Sequence, residues 1–121
     1  MTDYKLGTVE SKFADIIWSN EPLTTNELIK LCSGELAWKR TTTYTVLKKL
    51  SEKGLFQMQD SVVTSLISRE DYYSRQSEQF VTETFEGSLP AFIAAFTKRK
   101  GLSEKEIREI CQMVENAKED C

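Results

Sequence analysis

The 121-residue chain has no histidine, three cysteines, two prolines and five glycines, and no apolar run approaching the ~20 residues a membrane-spanning helix needs. Without histidine there is no side chain whose ordinary pKa suits general base chemistry at neutral pH. No glycine-rich loop is present to cradle phosphates. The acidic pair Glu104 and Glu106 fits the positive end of a helix better than a catalytic dyad. An enzyme is therefore not expected, and neither is a cofactor. Cys32, Cys111 and Cys121 are odd in number and widely spaced, which excludes a disulfide framework and leaves no zinc-ligand spacing. Cys32 and Cys111 sit in amphipathic patterns and are expected to be small buried apolar groups. The stretch from Met1 to Lys5 has no apolar signal core, so a cytoplasmic protein without membrane insertion is expected.

Apolar residues make up 40% of the chain and charged residues 29%, which are ordinary globular values. The net charge of −3 is the wrong sign for a nucleic-acid binder, but its distribution is uneven. Residues 1–70 hold nine basic and nine acidic side chains, whereas residues 71–121 hold seven and ten. The acidity thus belongs to the C-terminal part, and the N-terminal part is free to present a local basic stripe.

Hydrophobic periodicity divides the chain into an N-terminal region, 1–69, and a C-terminal one, 70–121. Val9, Phe13, Ile16 and Ile17 define a first helix over 8–20, which Glu21-Pro22 stops. Thr24 and Glu27 form a capping box for a second helix, carrying Leu28, Ile29, Leu31 and Cys32 to about Gly34. A third helix follows over 40–53 and ends at Gly54. The period then shortens. Residues 55–59 and 62–67 are β-type runs around Asp60-Ser61, predicting a hairpin with a weak turn signal. Three helices and a hairpin make a winged helix-turn-helix. The hairpin has no Lys or Arg, so any wing contact would rest on Gln57, Gln59, Ser61 or backbone amides.

The third helix carries the functional signal. Lys39, Arg40, Lys48, Lys49 and Lys53 are opposed only by Glu52, a local formal charge of +4. At ~100° per residue, Thr43, Val46, Leu47 and Leu50 share one arc, and Thr41, Tyr44, Thr45 and Lys48 the opposite one. Short hydroxyls beside long cations suit base edges and phosphates in a DNA major groove. The readers are expected to be Tyr44 and Thr45, with Arg40, Lys48 and Lys49 on phosphates. The plainer reading is a solvated face. Two other readings share the fold: a protein-interaction module using Tyr44 and Trp38, and a regulator sensing a ligand between Tyr72, Tyr73 and Phe92.

Three further helices are predicted. One runs from the Ser68–Asp71 cap to about Glu86, the next opens at Ser88, and the last opens at the Ser103–Glu106 capping box. Phe80, Phe85, Phe92, Phe96, Ile107 and Ile110 supply more apolar surface than three short helices can mutually cover, so pairing with an identical chain is expected. The fold class is mainly α with a small β-hairpin: an N-terminal winged helix and a C-terminal three-helix dimerisation region.

The ordered combination of Trp38, Thr42-Thr-Tyr-Thr45, Leu50, Lys53-Gly54, a hairpin and three helices with Gly101-Leu-Ser-Glu104 resembles the penicillinase and methicillin-resistance repressors (the BlaI/MecI/CopY type), over about residues 5–116. That resemblance implies a dimeric repressor of a two-fold symmetric double-stranded DNA operator. It implies a DNA role for Trp38, Thr42 and Thr45, with Lys39 where relatives often carry a Ser or Thr cap. It also implies relief of repression through a membrane sensor-protease answering a β-lactam-type signal, with the cut corresponding to Ala95–Phe96. Relatives are commonly cut after an asparagine, and Ala95 stands here. The family's copper-responsive branch has a cysteine-rich motif whose spacing Cys111 and Cys121 do not reproduce, so copper sensing is not expected.

Overall fold

The computed structural model describes residues 6–118; Cys121 and the segment Met1–Lys5 lie outside the described residues. The elements run α1 (Thr8–Asn20), β1 (Leu23–Thr24), α2 (Thr25–Leu36), α3 (Arg40–Glu52), β2 (Phe56–Gln59), β3 (Val62–Ser65), α4 (Arg69–Phe85), α5 (Leu89–Arg99) and α6 (Glu104–Asn116). The chain forms two compact units, one ending at Glu78 and the other beginning at Gln79, within α4. Among the described residues no helix is long and apolar enough to cross a membrane.

In the first unit the apolar stripes of α1, α2 and α3 converge on one core. Phe13, Ile17, Leu28, Cys32, Leu50, Leu55, Phe56 and Val63 are almost wholly removed from solvent. Full burial of a side chain such as Leu50 or Phe56 contributes roughly 1.5–3 kcal/mol. Val9, read as part of the apolar stripe of α1, is instead half exposed, because it lies in the first turn beyond the packed stretch. The capping box at α2 is closed in both directions: Glu27 N donates to Thr24 Oγ1 at 3.1 Å, and Thr24 N donates to Glu27 Oε1 at 2.9 Å.

Helix α2 does not stop near Gly34. It runs through to Leu36 and ends on Ala37, whose φ of 56° is left-handed, with Trp38 N donating to Cys32 O at 3.3 Å. A local glycine signal is overridden because Trp38 stacks on Phe13, ring centroids 5.4 Å apart, and holds the turn between α2 and α3. The hairpin forms with Asp60 and Ser61 both at positive φ, the geometry of a type I′ turn. It is part of a three-stranded antiparallel sheet in the order β1-β3-β2, because Leu23 and Thr24 pair with Val63 and Val62. Sequence periodicity cannot reveal a two-residue strand.

Around Trp18 the first unit gathers Phe56, Tyr72 and Tyr73, and Trp18 Nε1 donates to Ile67 O at 3.0 Å. This cluster packs Tyr72, which is 3% exposed, whereas Tyr73 touches its rim and stays exposed. The second unit is built differently. Ser88 caps α5 through Ala91 N at 3.1 Å, and Ser103 and Glu106 close the box of α6 at 3.1 and 2.9 Å. Phe80, Phe85, Phe92 and Phe96 form a ladder of edge and tilted contacts with centroids 5.7–6.3 Å apart. Yet neither α5 nor α6 has a buried residue. Cys32 is buried as expected, and burial pushes its thiol pKa up. Cys111 is exposed, contrary to expectation, on a helix none of whose residues is buried by the described residues.

Candidate nucleic-acid interface

The arcs read from the spacing of α3 are found at Thr43, Leu47 and Leu50 on one side and Thr41, Thr45 and Lys48 on the other, with Val46 and Tyr44 alike in between. Thr43, Leu47 and Leu50 are buried, Tyr44 and Val46 are half-buried, and Thr41, Thr42, Thr45, Lys48 and Lys49 are exposed. Core packing on one side therefore fixes which side chains the helix presents on the other. Thr43 shows why a polar residue can face inward: its Oγ1 donates to Lys39 O at 3.3 Å, so the hydroxyl is satisfied within the helix. Thr45 Oγ1 donates to Thr41 O at 2.8 Å, which leaves its lone pairs outward while holding the rotamer.

The cations divide. Among the described residues Lys39, Arg40 and Lys48 enter no ion pair, and the Arg40 guanidinium lies 5.7 Å from the centre of the Tyr44 ring. Lys49, expected to join them, has its Nζ 2.7 Å from Glu10 Oε2 on α1. Glu10 Oε1 in turn accepts from Gly7 N at 3.1 Å. The Lys49 ammonium, followed by the Gly7 amide, holds the Glu10 carboxyl below the usual carboxylate range. Trp38 is half-buried against Phe13 at the edge of the core, so its ring anchors the chain just before Lys39 and Arg40.

Between α3 and the hairpin lies a groove of about 420 Å³ lined by Tyr44, Leu47, Lys48, Ser51 and Met58. Met58, 48% exposed, was missed by a reading that looked for polar wing residues; strand alternation around Gln57 and Gln59 was the available signal. The polar wing groups are partly committed. Gln57 Nε2 donates to Thr64 Oγ1 at 3.2 Å, and Ser61 O accepts from Thr25 N at 3.0 Å, tying the turn to the start of α2. The sheet is further fastened by Glu21, whose carboxylate accepts from Ser65 N and Oγ at 2.9 and 2.8 Å.

In the second unit, Phe80, Phe96, Ile107 and Ile110 are exposed and Phe85 and Phe92 half-buried. Phe92, Ile93, Phe96, Thr97, Leu102 and Ile110 line an apolar cleft of about 140 Å³. Ala95 and Phe96 lie inside α5, while Lys100, Gly101 and Leu102 are non-helical. Among the described residues no group of three His, Cys, Asp or Glu side chains is placed to hold a metal ion.

The family model described as penicillinase repressor matches residues 6–116. The chain is 29% identical over 118 residues to the penicillinase repressor of Bacillus licheniformis, covering 94% of this chain and 92% of that one. It is 24% identical over 111 residues to the methicillin resistance regulatory protein MecI of Staphylococcus aureus, covering 88% and 90%. A MecI of Mammaliicoccus sciuri is 23% identical over the same length.

Proposed function

The chain belongs to the penicillinase repressor family, and we propose that it is a transcriptional repressor that binds a two-fold symmetric DNA operator as a homodimer. The observation that carries this reading is the outward arc of α3: Thr41, Thr45 and Lys48 are exposed and Tyr44 half-buried, on a helix whose other side is locked into the core. Tyr44 and Thr45 read base edges, with Thr42 on the flank, and Lys39, Arg40 and Lys48 hold phosphates. Trp38 acts through the backbone, setting where α3 begins. Met58 and the ring of Tyr44 give the groove beside α3 an apolar wall against the sugar edge.

Residues after about 70 form the dimer contact. The apolar surface of α5 and α6 is covered by the same surface of a second copy, and the pairing places two α3 helices on successive half-sites. Repression is relieved when that pairing is lost. A membrane sensor-protease responding to a β-lactam-type signal supplies the break, between Ala94 and Gly101. Within this span, Ala95–Phe96 requires local opening of α5 before a protease can hold it extended, whereas Lys100–Gly101 is already irregular.

The test is a footprint on DNA from the chain's own genomic neighbourhood, with Thr45→Ala and Tyr44→Ala beside the wild type. Specific protection of an upstream palindrome is expected. Each variant should lose discrimination between operator and scrambled DNA by roughly 1–3 kcal/mol, the worth of a good base contact. Discrimination left intact in both would remove α3 as the reader. A cleaved protein that still ran as a dimer on operator DNA would replace the proteolytic switch with direct ligand sensing.

A further inference from the structure

Lys49 lies on the helix that holds the most Lys and Arg side chains, yet its ammonium is matched by an acid from a different element. Glu10 is held from two sides, by Gly7 N at 3.1 Å and Lys49 Nζ at 2.7 Å, and its side chain is only 19% exposed while that of Lys49 is 57%. The carboxylate is thus the fixed member of the pair and the lysine the tethered one. Lys48, one residue earlier and ~100° around the helix, has no such partner among the described residues. An amide and an ammonium converging on an anion are also the donors that a DNA phosphate would use.

We propose that Glu10 is an intramolecular competitor for the DNA backbone, withholding Lys49 from phosphate and so removing one electrostatic contact from each half-site. The inference rests on the repressor reading above and names a residue that sets its affinity. Two consequences reinforce one another. With the pair closed, Lys49 makes no phosphate contact. Were Lys49 to swing away, it would leave an unneutralised carboxylate beside the phosphates, so Glu10 opposes binding in either position. The effect on sequence preference is small, since a phosphate contact carries no base information. Its use is to keep a single half-site weak, so that a tight complex depends on both halves of a dimer and is released when the dimer is broken.

The experiment measures affinity of the full chain for operator and for scrambled DNA across a salt series, with Glu10→Gln, Lys49→Ala, Lys48→Ala and the double variant Glu10→Gln/Lys49→Ala. Each added phosphate contact steepens the slope of log K on log salt by about 0.9. Glu10→Gln should bind both DNAs more tightly, with a slope steeper by about 1.8 for the two half-sites of a dimer. Lys48→Ala should flatten the slope, Lys49→Ala should weaken binding to both DNAs by baring the Glu10 carboxylate, and the double variant, with neither charge, should return to the wild-type slope and lose the gain of Glu10→Gln. Thermal melts of each variant identify any that fail to fold, and Glu10→Ala, which removes the same carboxylate with a different side chain, repeats the test. A slope that Glu10→Gln leaves unchanged, or a gain that the double variant keeps, overturns the proposal while leaving the repressor reading intact. A wild-type chain with no affinity for DNA at all defeats both.

Discussion

The two units solve the problem of hiding apolar surface in opposite ways. Residues up to Glu78 enclose Phe13, Ile17, Leu28, Leu50, Phe56 and Val63 within one chain. Beyond Gln79, α5 and α6 bury nothing, although Phe96, Ile107 and Val114 are as apolar as the groups in the first core. The difference lies in arrangement rather than composition. Three helices crossing over a sheet close a volume, whereas the later helices present a face and a cleft open on one side. A face of that kind is complete only when something covers it, and large exposed apolar patches mark such sites. The first unit closes its core, and the second leaves its apolar face open.

Ile107→Asp breaks this comparison most severely. A charge on the open face of α6 should turn the proposed dimer into monomers at micromolar concentration and lower operator affinity by a factor of ~10²–10⁴, since two linked contacts become independent. Sedimentation and operator titration read it, and the melting transition of the first unit should not move. A variant that remained dimeric would place the contact elsewhere.

Leu50→Ala attacks the opposite side. Removing a fully buried side chain from a closed core should destabilise the first unit by about 2–5 kcal/mol in urea unfolding. An equal truncation at Val114, 59% exposed, should have little effect on that transition. Similar losses at both positions would mean that the units unfold as one.

The smallest expected effect comes from pH and sharpens the comparison. Glu27 and Glu106 occupy equivalent capping boxes, and the backbone amides of Thr24 and Ser103 hold their carboxyls below the usual carboxylate range. A depressed folded pKa stabilises above the unfolded value, and that contribution is lost as pH falls through the folded one. Acidification from neutral to below that range should therefore fray the first turn of α6, which no core supports, before that of α2, which Leu28 anchors. Amide exchange at Lys105 and Glu106 against Asn26 and Glu27 would show it, and simultaneous fraying would assign the anchoring to the caps alone.

Much of this organisation was legible in the residues. The capping boxes at Thr24 and Ser103, the split of α3 into a buried and an exposed arc, and the excess of apolar groups after residue 70 are consequences of spacing along one element, and spacing is what a sequence records. The missed features lie between elements. Helix α2 passes Gly34 because Trp38 reaches Phe13. The hairpin gains a third strand because β3 meets Leu23 and Thr24, residues that carry no strand period of their own. Cys111 shares its helical pattern with buried residues elsewhere but is exposed, on a helix that buries none of its residues.

The sequence by itself determined the family, the order and ends of most helices, and which face of α3 turns outward, because local hydrogen bonding and a 3.6-residue period act over a few residues at a time. Only the tertiary structure decided which cations that face has to spend. Lys48 and Lys49 are adjacent and chemically identical, and nothing within α3 separates them; the carboxylate that claims Lys49 comes from Glu10, 39 positions earlier, brought to 2.7 Å by the packing of α1 on the same core. Charge pairing depends on distance through space, and the folded core sets that distance.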